Sequence, residues 1–297
     1  MNKYILLKVF ILLLLTTSTL FAAPIIEETP LSRPNLMSFT LQSEVLNQTM
    51  IIEISLPLSY AYTDDSTNYP VNYVADGIYT FLSVSTDNTR GSFGDYAPEM
   101  ITVGIEFQNY YDECNRSKWF TPTMISDDEN CGEAGGGADE FLSFIRDELK
   151  PFINQTFRAD QTQEIFSGHS HSATLALYAL FTQHELFDMY IAASPSIYWD
   201  NEVMFQFEQQ FVDSQVVLDK PVYISVGLNE AGGASDDQAT VDSFNEQVFS
   251  YVYRMGRKFK QDFPAAPIRI QAFPKENHTS SVGPAFHNGI HYVLKGE

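Results

Sequence analysis

The residues best suited to carry chemistry lie in a short run of serines and histidines, Gly168-His169-Ser170-His171-Ser172. An apolar stretch typical of a strand precedes the run, and a stretch typical of a helix follows at once. Small residues two places before and two places after Ser170 permit the tight strand-to-helix turn that presents a nucleophilic serine. At the helix start, the backbone N–H of His171 is placed to stabilise a negatively charged oxygen. The pattern predicts that Ser170 is a nucleophile.

The run departs from the G-x-S-x-G pattern at its last position, where Ser172 replaces glycine. Serine adds only a hydroxymethyl group, so we expect a mild adjustment of the backbone. The alternative is a serine-rich helix cap without chemistry, because serine commonly precedes the first turn of a helix. The strand before the run and the helix after it favour the catalytic interpretation.

A serine hydroxyl needs a base to become a good nucleophile. The segment Phe273-Pro-Lys-Glu-Asn-His278 places a histidine in a polar loop between the last predicted strand and a closing helix. This position suits hydrolases in which the serine, the acid and the histidine follow one another in that order. Glu230, directly after the preceding strand, is the preferred acid. Asp236 and Asp237 are alternatives, and a site without an acid also stays open.

A second pair of histidines offers a different chemistry. His287 and His291 share one face of a predicted helix and could bind a metal ion. The residues between them lack the glutamate of a zinc-protease helix, so we expect neither a metal nor another cofactor.

The elements that must position these residues alternate between strands and helices. Two β-rich stretches at 38–45 and 50–56 come first, and amphipathic helices are indicated over 141–153 and 241–259. Such alternation predicts a mostly parallel sheet with helices on both faces and an antiparallel edge. The stretch 108–138 lacks periodicity, so we expect a long loop that acts as a lid or substrate wall. Further strands are predicted at 71–75, 101–107, 164–166, 190–193, 222–226 and 268–273.

The amino terminus has the layout of a secretory signal peptide. Lys3 and Lys8 accompany a short apolar run, and Ala22-Ala23 provides a small-residue exit. Residues 1–22 are therefore predicted to be a cleaved signal, residues 23–36 a flexible lead-in and residues 37–297 a single domain. An uncleaved membrane anchor is the alternative, and no later segment is apolar over a length that spans a bilayer.

Charge and cysteine content narrow the possibilities further. The formal net charge of −21 argues against binding to nucleic acid or to anionic lipid, because both carry negative charge. The two cysteines, Cys114 and Cys131, lie in one irregular stretch. In an exported protein a single disulfide between them is the simplest expectation, with two free thiols as the alternative. The sequence does not indicate an oligomeric state.

Segments spread along the chain resemble a known family. They include Tyr73-Val-Ala-Asp-Gly77, Gly168-His-Ser170, the stretch Ala-Ser-Pro-Ser-Ile-Tyr-Trp within 187–200, and Phe273-Pro-Lys-Glu-Asn-His278. Together they resemble the putative-esterase group of α/β-hydrolases, which contains esterase D-like enzymes, siderophore esterases and feruloyl esterases. The chain is most similar to the periplasmic siderophore-esterase branch.

This resemblance implies an α/β-hydrolase fold, with Ser170 as nucleophile and His278 as base. It also implies a second oxyanion donor just after the strand 101–105, near Glu106 or Phe107. The third member of the triad varies within that branch, which leaves the role of Glu230 open. The expected function is an exported serine esterase that acts on a small-molecule ester. The alternatives are a hydrolase-fold binding protein without activity and an acyltransferase.

Overall fold

The computed structural model describes residues 25–30, 35–64, 66–94, 99–109, 112–128, 130–231 and 238–296. The predicted signal peptide and the alternative acids Asp236 and Asp237 lie outside these residues. Within the described ranges, no helix combines the length and the apolar character needed to cross a membrane.

In the described part of the chain, eleven strands form two sheets, a central sheet of nine strands and a separate pair. In the central sheet the order is β1-β2-β3-β5-β4-β8-β9-β10-β11. From β5 to β11 neighbouring strands are parallel, whereas β1, β2, β3 and β5 pair antiparallel. The strands are β1 (Ile25–Pro30), β2 (Leu36–Ser43), β3 (Gln48–Ser55), β4 (Tyr69–Ala75), β5 (Ile101–Phe107), β6 (Met124–Asp128), β7 (Gly132–Gly135), β8 (Ala159–His169), β9 (Met189–Ala193), β10 (Val222–Gly227) and β11 (Ile268–Phe273).

Helices cover both faces of the central sheet. On one face α1 and α9 pack over the sheet, and on the other face α3, α5, α7 and α8 do so. This arrangement confirms the predicted mostly parallel sheet with an antiparallel edge. The helices are α1 (Gly77–Gly94), α2 (Glu113–Phe120), α3 (Ala138–Phe144), α4 (Lys150–Thr156), α5 (His171–Thr182), α6 (Trp199–Glu202), α7 (Met204–Asp213), α8 (Gln238–Asp262) and α9 (Val282–Lys295).

The two amphipathic patterns correspond to real helices. The first pattern spans α3, a π-helical segment at Ile145–Leu149 and α4, which follow one another without a break. The second corresponds to α8, the longest helix of the described chain at 25 residues. One residue of its predicted buried face differs, because Phe244 is 45% exposed. Phe244 lies at the wall of a cavity that is described below.

The stretch 108–138 is not the long irregular loop that we expected. It contains α2, β6 and β7. These elements are short, and α2 is largely polar, so they leave no periodic signal in the sequence. Asp112 caps α2 by accepting a hydrogen bond from the backbone N–H of Asn115 over 2.9 Å. A disulfide joins Cys114 of α2 to Cys131, just before β7.

The predicted lead-in also differs from the structure in one respect. Residues 25–30 form β1, which pairs antiparallel with β2, instead of a flexible segment. β1 is the edge strand of the sheet, and its short sequence Ile-Ile-Glu-Glu-Thr-Pro lacks the alternating pattern from which a strand is predicted. The remaining lead-in residues at 31–34 lie outside the described ranges.

Sheet topology brings the predicted site residues to one edge. Ser170 follows β8, Glu230 follows β10 and His278 follows β11. These three strands belong to the parallel part of the sheet, so their carboxyl ends point the same way. In open α/β sheets, ligands bind at this edge.

Candidate active site

Ser170 occupies a strained turn between β8 and α5. Its backbone angles are φ 61° and ψ −123°, and a positive φ is rare for a residue other than glycine. The backbone N–H of Ser170 donates to the carbonyl oxygen of Ala193 in β9 over 3.0 Å, which fixes the turn against the neighbouring strand. Strain of this kind is common at functional sites, where it holds a side chain in a defined direction.

The residues around Ser170 explain how the chain tolerates this turn. A Cβ atom at Gly168 would lie 2.2 Å from the carbonyl oxygen of Ser172, so only glycine fits there. Ser172 takes the place of the usual second glycine, and its hydroxyl bonds across the turn. It donates to the carbonyl oxygen of His169 over 2.8 Å and accepts from the N–H of His169 over 2.9 Å. The serine therefore closes the turn rather than disturbing it.

His278 and Glu230 are in direct contact. Nδ1 of His278 contacts Oε2 of Glu230, whose side chain is almost completely buried. The other carboxylate oxygen, Oε1, accepts from the Ser194 hydroxyl and from the Gly227 N–H, each over 2.8 Å. Three groups therefore hold the carboxylate in place. A carboxylate at Nδ1 orients the imidazole ring and leaves Nε2 available as a base.

The two histidines that flank Ser170 have other partners. Nε2 of His169 lies 2.8 Å from the backbone carbonyl oxygen of His278. The ring of His171 packs edge-on against Trp199, with 5.3 Å between ring centroids. Burial lowers the pKa of His169 to about 3 and that of His171 to about 4, so both rings are neutral at neutral pH.

One cavity contains both Ser170 and His278. Its volume is about 190 Å³, and it lies at the carboxyl edge of the sheet. The structure thus brings together the predicted nucleophile and the predicted base, with the predicted acid behind the base. The remaining lining residues are Tyr79, Arg116, His169, Thr279 and Val282.

Arg116 in this lining was not anticipated from the sequence. It belongs to α2, and its side chain is only 11% exposed. Nε donates to Oδ1 of Asp76 over 2.9 Å, and Nη2 lies 2.5 Å from Oδ2 of the same carboxylate. Nη1 lies 2.5 Å from Oε2 of Glu113. Burial alone would lower the pKa of the guanidinium, but Asp76 and Glu113 more than offset this and raise it above its usual range.

The predicted second oxyanion donor near Glu106 or Phe107 requires a correction. Both residues lie at the end of β5, and β4 separates β5 from β8. In addition, the N–H of Phe107 donates to Oε1 of Glu106 over 2.7 Å, so this donor is already in use. Oε2 of Glu106 accepts from the N–H of Ile78 over 2.7 Å. Burial raises the pKa of Glu106 to about 7, against the effect of these two backbone bonds.

Comparison with known proteins identifies the family. The family model described as "Putative esterase" matches residues 43–264, which is more than half of the chain. The chain belongs to this esterase family. The resemblance noted from the sequence is confirmed, and so is the ester-hydrolysing class of enzyme that it implied.

Several relatives of this esterase carry descriptive names. A siderophore enterobactin esterase of Emericella nidulans is 28% identical over 82% of this chain and 88% of its own length. A siderophore triacetylfusarinine C esterase of Aspergillus fumigatus is 33% identical over 64% of this chain and 65% of its own length.

Solved structures show the same fold. The siderophore hydrolase EstA from Aspergillus nidulans has a TM-score of 0.78 at 23% identity, over 91% of this chain and 98% of that one. An IroE-like serine hydrolase from Shewanella oneidensis has a TM-score of 0.73 at 26% identity, over 88% of this chain and 80% of that one. The predicted α/β-hydrolase fold is confirmed.

A second, larger cavity of this esterase adjoins the first. Its volume is about 460 Å³, and His278 and Glu230 belong to its lining. Apolar side chains make up much of the remaining wall, including the exposed ring of Phe244 from α8. The other apolar members are Pro195, Tyr198, Ala231, Val241 and Val248. The cavity has the size and the apolar character of a site for an organic group.

The two histidines considered as metal ligands, His287 and His291, both lie on α9 of this esterase. Across the described ranges, no group of three or more histidine, cysteine, aspartate or glutamate side chains could hold a metal ion.

Proposed function

We propose that this esterase hydrolyses a carboxylic ester through an acyl-enzyme formed on Ser170. One observation carries the proposal above all others. Ser170 and His278 line the same cavity, and the imidazole of His278 contacts the buried carboxylate of Glu230. A serine, a histidine and a carboxylate in these relative positions form the constellation that activates a hydroxyl for attack.

In the proposed reaction, Nε2 of His278 takes the proton from the Ser170 hydroxyl as Oγ attacks the ester carbonyl. Glu230 stabilises the imidazolium that forms, because its carboxylate faces Nδ1. His278 then returns the proton to the leaving alcohol. Water attacks the acyl-enzyme by the same route and releases the carboxylic acid.

His171 supplies one donor to the oxyanion through its backbone N–H. It is the first residue of α5, and the first N–H groups of a helix have no partner within the helix. They also lie at the positive end of the helix dipole. The side chain of His171 has no part in this step, because it packs against Trp199.

The proposed substrate is a siderophore that contains an ester bond. Three relatives are named as esterases of enterobactin, triacetylfusarinine C and ferri-bacillibactin. The similarity to the Shewanella oneidensis protein, which is named a serine hydrolase, supports the proposed mechanism. The apolar cavity of about 460 Å³ beside His278 could hold an organic group next to the ester bond.

Export is a further part of the proposal, and it rests on the signal-like residues 1–22. Cleavage after Ala22 would give a mature chain that starts at Ala23. Amino-terminal sequencing of protein recovered outside the cytoplasm checks this directly. Recovery of chains that retain residues 1–22 in the membrane fraction would favour the anchor instead.

The decisive test replaces the nucleophile. Ser170→Ala is expected to remove essentially all hydrolysis of a nitrophenyl ester while the circular dichroism spectrum stays unchanged. Ser66→Ala, at an exposed serine, is the matched control and should keep full activity. A fluorophosphonate probe should label the wild type and Ser66→Ala but not Ser170→Ala. Normal turnover by Ser170→Ala would reject the proposal.

The purified wild-type protein also tests the alternative functions and identifies the preferred substrate. Siderophore, feruloyl and acetyl esters are compared by kcat/KM, and the siderophore ester should be the best substrate. Saturable binding without turnover or labelling would indicate a binding protein. Acyl transfer to an added alcohol in preference to water would indicate an acyltransferase.

A further inference from the structure

Phe244 has an unusual environment for its position on α8. It shares one face of the helix with Val241 and Val248, at spacings of three and four residues. Both valines are buried, whereas Phe244 keeps 45% of its side chain exposed. Burial of an aromatic ring is strongly favourable, so an uncovered ring between two buried residues indicates space for an apolar group of a ligand.

That space is the cavity of about 460 Å³. A second aromatic ring in its lining, that of Tyr198 just before α6, is also 45% exposed. The carboxylate of Glu230 belongs to the lining too, but the side chain is almost completely buried and both of its oxygens already have hydrogen-bond partners. The cavity therefore suits an apolar group better than a charged one.

This cavity and the cavity of Ser170 meet at one side chain. Of the described residues, His278 alone lines both. A substrate whose ester bond lies at Ser170 therefore reaches the larger cavity past the imidazole of His278.

The proposed reaction decides which half of the ester lies nearest to that imidazole. When the tetrahedral intermediate collapses, the C–O bond breaks, its electron pair stays on the alcohol oxygen, and that oxygen takes the proton from Nε2 of His278. The alcohol oxygen must therefore come within about 2.6–3.2 Å of Nε2. The acyl carbons instead stay on the carbonyl carbon, which is bonded to Oγ of Ser170. The substituent on the alcohol oxygen is thus the part of the substrate that begins beside the larger cavity.

A third cavity, of about 520 Å³, has His171 in its lining and is less suited to an apolar group. Removal of water from carboxylates costs free energy when nothing replaces its hydrogen bonds. The lining of this third cavity includes the acidic side chains Glu113, Asp128 and Asp200.

We infer that the cavity lined by Phe244 binds the alcohol half of the ester, and that this half carries an aromatic or branched apolar group. Phe244 and Tyr198 then determine the specificity for the alcohol. The inference rests on the proposed function, because it requires Ser170 to form the acyl-enzyme and His278 to protonate the leaving alcohol.

Two isomeric esters distinguish the two halves. Benzyl acetate carries its phenyl group on the alcohol, and methyl phenylacetate carries the same group on the acyl side. For each ester, kcat/KM is divided by the rate constant of alkaline hydrolysis, which removes the difference in intrinsic reactivity. The wild type should then prefer benzyl acetate by about 10-fold or more, the effect of burying one aromatic group.

Phe244→Ala should lower this preference by about 5- to 10-fold, the effect of losing one aromatic contact. Phe244→Leu keeps an apolar wall and should retain most of the preference. Tyr253→Ala is the matched control, because Tyr253 is an aromatic residue of the same helix that is 42% exposed and lines none of the three cavities. The control should keep the wild-type preference.

Binding of the alcohol can be measured without turnover. Ser170→Ala should bind benzyl alcohol saturably in a titration followed by NMR. Addition of Phe244→Ala should weaken this binding about 10-fold, and addition of Tyr253→Ala should leave it unchanged. A crystal of Ser170→Ala soaked with benzyl alcohol should place the phenyl group within about 4.5 Å of the Phe244 ring.

The outcomes separate this inference from the proposed function. If the fluorophosphonate probe fails to label Ser170 in the wild type, the proposed function itself fails. If the wild type is labelled but prefers methyl phenylacetate, or hydrolyses neither ester, only the assignment of the cavity is rejected. An equal fall of kcat/KM for both esters in Phe244→Ala would also overturn the inference, because a purely structural role of Phe244 predicts that result.

Discussion

His169 binds the backbone of His278: its Nε2 lies 2.8 Å from the carbonyl oxygen of that residue. A carbonyl oxygen only accepts, so Nε2 carries the proton and donates it. Burial holds the pKa of His169 at about 3, so the ring is neutral and Nδ1 is unprotonated. The last residue of β8 therefore holds the loop that carries the proposed base. The Ser281 hydroxyl donates to the same carbonyl oxygen over 3.1 Å.

Loss of the hydrogen bond between His169 and the His278 carbonyl should lower kcat without abolishing activity. His169→Phe leaves the His278 carbonyl with a single donor, and we expect kcat to fall about 10-fold, equivalent to roughly 1.4 kcal/mol. His169→Gln should fall less, because its amide nitrogen can still donate. KM should stay within about twofold, since this bond acts on the position of the proposed base. His184→Gln, remote from the cavity, is the control, and equal kcat for Phe and Gln at position 169 would contradict the assignment.

Glu230 should matter far more than its hydrogen-bond partner Ser194. Glu230→Gln keeps the shape of the side chain but removes the charge that faces Nδ1 of His278, and it favours the wrong tautomer of the ring. We expect kcat to fall by about 100-fold or more. Ser194→Ala removes only one of the two bonds to Oε1 and should cost about threefold. A similar loss of kcat in both variants would indicate that Glu230 stabilises the loop and does not orient the imidazole of His278.

Alanine substitutions at Gly168 and Gly283 test how tightly the turn at Ser170 is packed, because only Gly168 lacks space for a Cβ atom. At Gly168 an added Cβ would lie 2.2 Å from backbone, so Gly168→Ala should lower the free energy of unfolding by about 3 kcal/mol. At Gly283 in α9 the nearest atom would be 3.7 Å away, so Gly283→Ala should raise it by about 0.5–1 kcal/mol. Urea denaturation measures both. Equal stability of the two variants would contradict the close approach of strand and helix.

Local sequence rules predicted much of this fold because β4, β5, β9 and β10 are fully buried and mostly apolar. β5 and β11 have the same bounds as their predictions, and the order of strands and helices placed Ser170, Glu230 and His278 at strand ends. Strand ends at one sheet edge follow from parallel pairing alone. The candidate triad therefore needed no knowledge of side-chain packing.

The position of Arg116 could not be predicted by such rules. Its partner Asp76 lies 40 positions earlier in the chain, and only tertiary packing brings the two together. α2 has too few apolar residues to give a helical period, so the region read as a loop. The expected donor at Phe107 failed for a related reason, because the order β5-β4-β8 depends on which strands pair. Neither fact can be read from spacing.

The disulfide between Cys114 and Cys131 should stabilise the region that carries Arg116. The two cysteines are 17 positions apart, and closing a loop of this length contributes about 3 kcal/mol in the chain-entropy model. The double variant Cys114→Ser with Cys131→Ser should therefore unfold at a lower urea concentration. Wild-type protein kept in dithiothreitol should move to the same midpoint, and the double variant should not respond to the reductant. An unchanged midpoint in both cases would contradict the prediction.

The buried histidines should make folding stability depend on pH in a defined direction. His169 and His171 have pKa values lowered to about 3 and about 4, from 6.5. Below pH 6.5 the unfolded chain binds protons at these positions and the folded protein does not, so stability falls as pH falls. Glu106 and Glu208 act in the opposite sense between pH 4.5 and 7, because burial raises the pKa of each to about 7. The wild-type profile alone therefore mixes two opposing effects.

His169→Gln isolates one of these effects. Between pH 7.5 and pH 5 the wild type should lose about 2 kcal/mol of unfolding free energy through His169, since each pH unit below 6.5 costs about 1.4 kcal/mol. The variant lacks that contribution, while Glu106, Glu208 and His171 still titrate. Urea denaturation of both proteins at the two pH values gives the difference directly, because the shared groups cancel. An equal loss of unfolding free energy in both proteins would show that His169 takes up a proton in the folded state. The assignment of His169 as a neutral ring that donates to the His278 carbonyl would then be wrong.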